Sequence, residues 1–154
     1  MGRWLCVVIL LAELCSACQN QTMYNEFRVI DRSVWEADVA YPFEFEVADT
    51  TKAYDLSFVI RNTRDYPYQN FWLFYTLQNP AFELANDTLE CYLADDYGKW
   101  LGDGFSVFES TFTLKTGYRF TKTGTHILYL RQGMTDETLA GVRDVGVVIA
   151  ESNP

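Results

Sequence analysis

The sequence predicts an all-β protein, a single antiparallel β-sandwich of jelly-roll or immunoglobulin-like type behind an N-terminal signal segment. Three observations carry this expectation. Several short segments alternate apolar and polar residues with period two. Turn-forming residues separate those segments, and no stretch joins a helix cap to a sustained 3.6-residue period. With 154 residues, 49% of them apolar and 21% charged, the chain suits one domain with a packed core. Aromatic residues reach 16%, mostly Tyr and Phe, which favour strands.

Taken in order, the chain divides at 1–17, 18–40 and 41–154. Arg3 supplies a minimal positive n-region, and Trp4 to Leu14 is apolar apart from Glu13. A membrane span needs about 20 apolar residues, so this run has the length of a signal-peptide h-region instead. The ending Cys15-Ser16-Ala17-Cys18 resembles a lipobox, with Cys15 standing where Leu is usual. It predicts cleavage before Cys18 and lipidation of Cys18 itself. Two or more acyl chains hold a protein stably at a membrane, because each buried CH₂ contributes about 0.8 kcal/mol. Cys6 and Cys15 then leave with the signal, and Cys91 is the one thiol of the mature domain, with no internal disulfide partner.

Residues 18–40 read as the lipidated N-terminus and a tether, with Trp35 as a plug at the edge of the core. The sandwich domain begins at Tyr41. Phe43, Phe45 and Val47 alternate with Glu44 and Glu46, and Leu56, Phe58 and Ile60 alternate with Ser57 and Arg61. Asn62 to Asn70 is rich in turn formers. Phe71 to Leu77 is apolar on both parities, which predicts a central strand covered on both faces. A further strand is expected at Asp87 to Ala94, with Leu89, Cys91 and Leu93 inward. Short strands follow in Phe105 to Leu114, and His126 to Arg131 and Val142 to Ala150 close the domain.

Composition and motifs restrict the chemistry. A net charge of −9 opposes binding to nucleic acid, which needs Lys and Arg to replace counterions. It also opposes electrostatic adhesion to anionic lipid. The chain from Cys18 onward has no nucleophile elbow, HExxH, CxxC or phosphate loop, and the one CxxC spacing, Cys15 to Cys18, is split by the expected cleavage, so no catalytic residue, metal or cofactor is expected. The mature chain has one histidine, His126, inside a strand. Asp95, Asp96 and Asp103 lie among glycines and read as turn aspartates bonding their own backbone rather than as calcium ligands.

The aromatics Tyr66, Tyr68, Trp72 and Trp100 sit in or beside turn-rich segments. Tyr66, Tyr68 and Trp100 are the candidate binding residues, because exposed aromatics serve protein interfaces and sugar stacking alike. Tyr66 and Tyr68 are expected to be the most exposed. Asp49-Thr50-Thr51 and Asp87-Thr88-Leu89 resemble the O-glycosylation acceptor of exported Bacteroidota proteins, with Thr50 and Thr88 as the acceptors.

One ordered series remains: the lipobox, Tyr41-Pro42-Phe43-Glu44-Phe45-Glu46, the run from Ile60 to Asn70 with Arg61-Asn62 and Asp65-Tyr66-Pro67-Tyr68, Asp87-Thr88-Leu89-Glu90, Gly98-Lys99-Trp100-Leu101-Gly102-Asp103-Gly104, and Asp144-Val145-Gly146-Val147. Together these resemble the gliding motility lipoprotein GldH family of the Bacteroidota, over essentially the whole chain. The resemblance implies a non-enzymatic envelope component. Its expected partners are the membrane, through the lipid anchor, and other envelope or motility proteins. The expected location is the outer membrane, facing the periplasm, with exposure at the cell surface as the alternative. A lipid-anchored carbohydrate-binding module, with a glycan as ligand, is the alternative expectation.

Overall fold

Alternating side chains need two layers to bury one face each, and the chain supplies two sheets. The computed structural model describes residues 21–152; the signal segment and Cys18 lie outside them. One sheet orders β1 (Thr22–Val29), β11 (Val142–Glu151), β4 (Tyr54–Thr63), β8 (Val107–Tyr118) and the two-residue β7 (Asp103–Gly104). The second orders β3 (Ala40–Val47), β9 (Gly124–Gln132), β5 (Asn70–Gln78) and β6 (Leu84–Tyr92). A ribbon of β2 (Val34–Glu36) and β10 (Thr138–Ala140) closes one end. All pairings are antiparallel. With the short β2, β7 and β10 set aside, the remaining eight strands form a jelly roll of two four-stranded sheets, which resolves the two sandwich types the sequence left open.

The inner faces carry the expected period-two residues. Leu56, Phe58 and Ile60 of β4 and Val145, Val147 and Ile149 of β11 meet Phe43, Phe45 and Val47 of β3 and Leu128 and Leu130 of β9, all buried. Phe58 stacks on Phe71 across the layers, with ring centroids 5.9 Å apart. His126 belongs to this core, packed between Phe45 and Phe120 with its Nδ1 3.0 Å from the Gly124 carbonyl oxygen. Cys91 is buried as expected of a small hydrophobe, and burial pushes its thiol pKa up to about 12.

Two expectations need correction. The segment assigned to a tether, 18–40, is part of the fold from Thr22 onward. β1 pairs with β11 from Thr22↔Ala150 to Val29↔Asp144, covering an edge that would otherwise expose unpaired backbone groups. Trp35 is fully buried, donates from Nε1 to the Val39 carbonyl oxygen at 2.9 Å, and stacks on Phe71. The second correction concerns β5. It is central, between β9 and β6, but only one of its faces is covered. Phe71, Leu73, Tyr75 and Leu77 point into the core, while Trp72 and Phe74 stand exposed on the outside.

The two ends of the sandwich differ. At the near end lie Gln21, Ser152 and the connections 48–53, 79–83 and 119–123, as the registers Thr22↔Ala150, Tyr54↔Tyr118, Val47↔Gly124 and Gln78↔Leu84 require. Phe120 closes this end between the sheets, against Tyr54 of one and Phe45 of the other. At the far end lie the β2–β10 ribbon and the long connections 64–69 and 93–102.

Candidate interaction surface

The expected aromatic residues all fall at the far end, but they are not equally available. Tyr66 is buried, contrary to expectation. The turn after β4 folds back so that its hydroxyl donates to the Asn70 carbonyl oxygen at 2.7 Å, and burial raises its pKa. Its ring meets Tyr68 and Trp100 edge-on. Trp100 is half-buried and stacks on Phe108 at 5.6 Å, which pins the 93–102 connection to β8. Tyr68 is exposed and donates its hydroxyl to Asp136 at 2.5 Å; that bond is the main reason its pKa is raised. Gly141 supports this corner. Its φ is +83°, and a Cβ there would strike the Tyr66 backbone.

The larger aromatic surface lies on the outer face of the second sheet. Period two turns Trp72 and Phe74 of β5 outward, Tyr92 beside them on β6, and Tyr129 and Arg131 on β9. Trp72 and Phe74 are each 38% exposed and Tyr92 is 58% exposed, well above what side chains in a covered sheet retain. The Phe74 ring rests against Gly133, where a Cβ would approach to 3.0 Å, and the Arg131 guanidinium lies 5.3 Å from its centroid. Around Phe74 the face hollows into a concavity of about 580 Å³, lined by Thr76, Asn86, Thr88, Tyr129 and Arg131 among others. The signal for this surface is the presence of aromatics on both parities of Phe71 to Leu77, a pattern that a strand buried on both faces also shows.

The remaining candidates have simple structural places. Thr88 is exposed on β6 and lines the concavity, whereas Thr50 is half-buried in the near-end turn. Asp95 accepts from the backbone N–H groups of Tyr97 and Lys99 at 3.0 and 2.9 Å, the turn bonding expected of it. Among the described residues no group of three or more His, Cys, Asp or Glu side chains is placed to hold a metal ion.

These features define a jelly-roll domain with uncovered aromatic surface on one sheet. The model of the GldH lipoprotein family matches residues 22–149, and the chain belongs to that family. A gliding motility lipoprotein GldH homolog of Christiangramia forsetii is 34% identical over 148 residues, spanning 91% of this chain and 90% of its own. The gliding motility lipoprotein GldH of Flavobacterium johnsoniae is 28% identical over 155 residues, spanning 96% of each. Among solved structures, a family GH115 4-O-methyl-α-glucuronidase superposes with a TM-score of 0.45 at 12% identity, over 88% of this chain and 18% of that one. Dimeric latent PorU from Porphyromonas gingivalis gives 0.35 at 11% identity, over 90% and 14%. The family places the chain among membrane-anchored envelope lipoproteins of gliding motility.

Proposed function

We propose that the protein is a non-catalytic interaction component of the envelope motility machinery, tethered by acyl chains on Cys18 and engaging a protein partner through the outer face of its second sheet. The observation that carries this reading is the row Trp72, Phe74 and Tyr92, left uncovered beside or on a central strand. Aromatic side chains that pack against a partner dominate protein interfaces, and leaving them in water has no benefit for the isolated domain. Tyr68, exposed at the far end, is a further candidate contact. The anchor is read as inserted in the outer membrane from the periplasmic side.

A glycan is the second reading, favoured by the mixture of groups in the concavity. Thr76, Asn86, Thr88 and Arg131 ring the Phe74 and Tyr129 faces, an arrangement suited to hydroxyl hydrogen bonding beside aromatic stacking. Affinity capture of the lipidated protein from its own membranes tests the first reading, with Cys18→Ala and Trp72→Ala/Phe74→Ala as parallel arms. Envelope or motility proteins recovered with the parent and lost in both arms support it. If the double variant retains every partner, the outer face is not the interface. A glycan array probed with the same pair then decides the second reading.

A further inference from the structure

The near end of the sandwich carries an exposed apolar tip that faces the same way as the anchor. Cys18 precedes Gln21 by three residues, and a chain spans at most about 3.6 Å per residue, so Gln21 stays within about 11 Å of the lipidated position. Gln21 is already fixed to the fold, since its carbonyl oxygen accepts from the Glu151 N–H at 3.1 Å. Such a short link brings the near end, and not the far one, to the membrane surface.

At that end the β5–β6 hairpin presents Phe82, 78% exposed, followed by Leu84, 59% exposed. Phe82 is held in this posture. Its φ is +60°, a region L residues rarely adopt, and its N–H donates to the Asn79 carbonyl oxygen at 2.9 Å. The Asn79 side-chain oxygen accepts from the N–H groups of Ala81 and Glu83 as well. Two acids of this end are paired with cations, Glu83 with Lys122 at 3.1 Å and Glu151 with Lys52, while Asp49, Asp55 and Glu46 accept hydrogen bonds from Thr51, Gly117 and Thr125. Arg119 is exposed and, among the described residues, forms no ion pair; its guanidinium donates to the Thr51 carbonyl oxygen.

We infer that this near end, with Phe82 at its tip, docks on the bilayer that holds the Cys18 acyl chains, so that the domain stands directly on the membrane. An aromatic ring at a hairpin tip gains by entering the interfacial region without any need for net charge attraction, and Arg119 is the one cation of this end, among the described residues, left without an acid to meet a lipid phosphate there. Trp35, Trp72 and Trp100 all lie in the far half, so docking keeps them away from lipid and leaves the open aromatic face accessible. The inference rests on lipidation of Cys18, and the test separates the two.

The lipidated mature protein, which starts at Cys18 and so lacks Trp4, is reconstituted into vesicles of phosphatidylethanolamine and phosphatidylglycerol with brominated acyl chains, which quench tryptophan at bilayer depth. Co-flotation with the vesicles reports the anchor. The parent's emission is expected to be unchanged, Phe82→Trp to add a component lost in brominated vesicles, and Tyr97→Trp, at the far end, to add one that is not. Circular dichroism checks that both variants fold. Flotation with an unquenched Phe82→Trp overturns the docking and leaves the anchor standing. Quenching of the native tryptophans would show the opposite end facing lipid and overturns it as well. Failure to float removes the anchor and the docking together.

Discussion

The outer faces of the two sheets show what a finished surface and an unfinished one look like in the same domain. On the first sheet Phe27 lies across Gly146, where any Cβ would come within 2.5 Å of its ring. Arg61 covers Phe27 at 4.1 Å, and reaches Glu109 at 2.6 Å and Asp144 at 3.2 Å. Arg143 joins Asp144 from the other side at 3.3 Å. Aromatic, cation and acids complete one another there. On the second sheet Phe74 has Arg131 over it, but among the described residues Arg131 pairs with no acid, and Trp72 and Tyr92 have no such cover. The difference teaches that aromatic content alone does not mark a binding face. What marks it is an aromatic group whose surroundings are left open.

The comparison can be broken in several places, and the shared core sets the scale. Trp35→Ala removes a fully buried ring and orphans the Val39 carbonyl. Urea unfolding is expected to show a loss of about 3–5 kcal/mol. On the closed face, Asp144→Ala deprives Arg61 and Arg143 of a carboxylate only 3% exposed. The expected loss is about 1.5–3 kcal/mol, the range for hydrogen bonds to charged groups. It is tempered by burial, which raises the Asp144 pKa against the pull of both arginines. On the open face, Trp72→Ala or Phe74→Ala is expected to leave stability within about 1 kcal/mol. Partner affinity in the same variants is expected to fall by about 30-fold, equivalent to a hot spot of about 2 kcal/mol. Equal stability losses on the two faces would erase the distinction.

The smallest effect lies where the sheets meet at the side. Asp87 accepts from Lys115 at 2.9 Å and from the Tyr75 hydroxyl at 3.0 Å. The Lys115 bond first, then one from the Thr88 backbone N–H and the Tyr75 bond, lower its pKa from 3.8 to about 2. A depressed carboxyl adds stability that is complete above 3.8 and fades as the pH falls through about 2. Asp87→Asn is expected to flatten the stability–pH curve across that window and to leave its slope near neutrality unchanged, as followed by thermal melting.

Much of the fold was legible because burial imposes period two on a strand. Phe43, Phe45 and Val47, and likewise Leu56, Phe58 and Ile60, could be read directly as inward faces. β1 was not legible in the same way. It is an edge strand with Glu26 and Arg28 among its residues, so its alternation is diluted by solvent, and pairing with β11 rather than hydrophobicity places it. The site was less legible than the fold. Aromatic residues beside turns suggested exposure, but Tyr66 uses its hydroxyl to close the turn that carries it. Trp72 and Phe74 had the pattern of a two-sided core strand, and only the absence of a layer over them shows that one side is open. A strand's own sequence does not reveal whether a second layer covers it.

The central claim is that the open face, and not the closed one, meets the partner. A photo-crosslinking amino acid at position 72, in the lipidated protein in native membranes, tests it most directly, with position 111 on the closed face as the comparison. Both sites are exposed, so both probes are open to chance encounters. A discrete crosslinked envelope protein from position 72 and none from position 111 is the result predicted. The same product from both positions, or one from position 111 alone, would contradict the account.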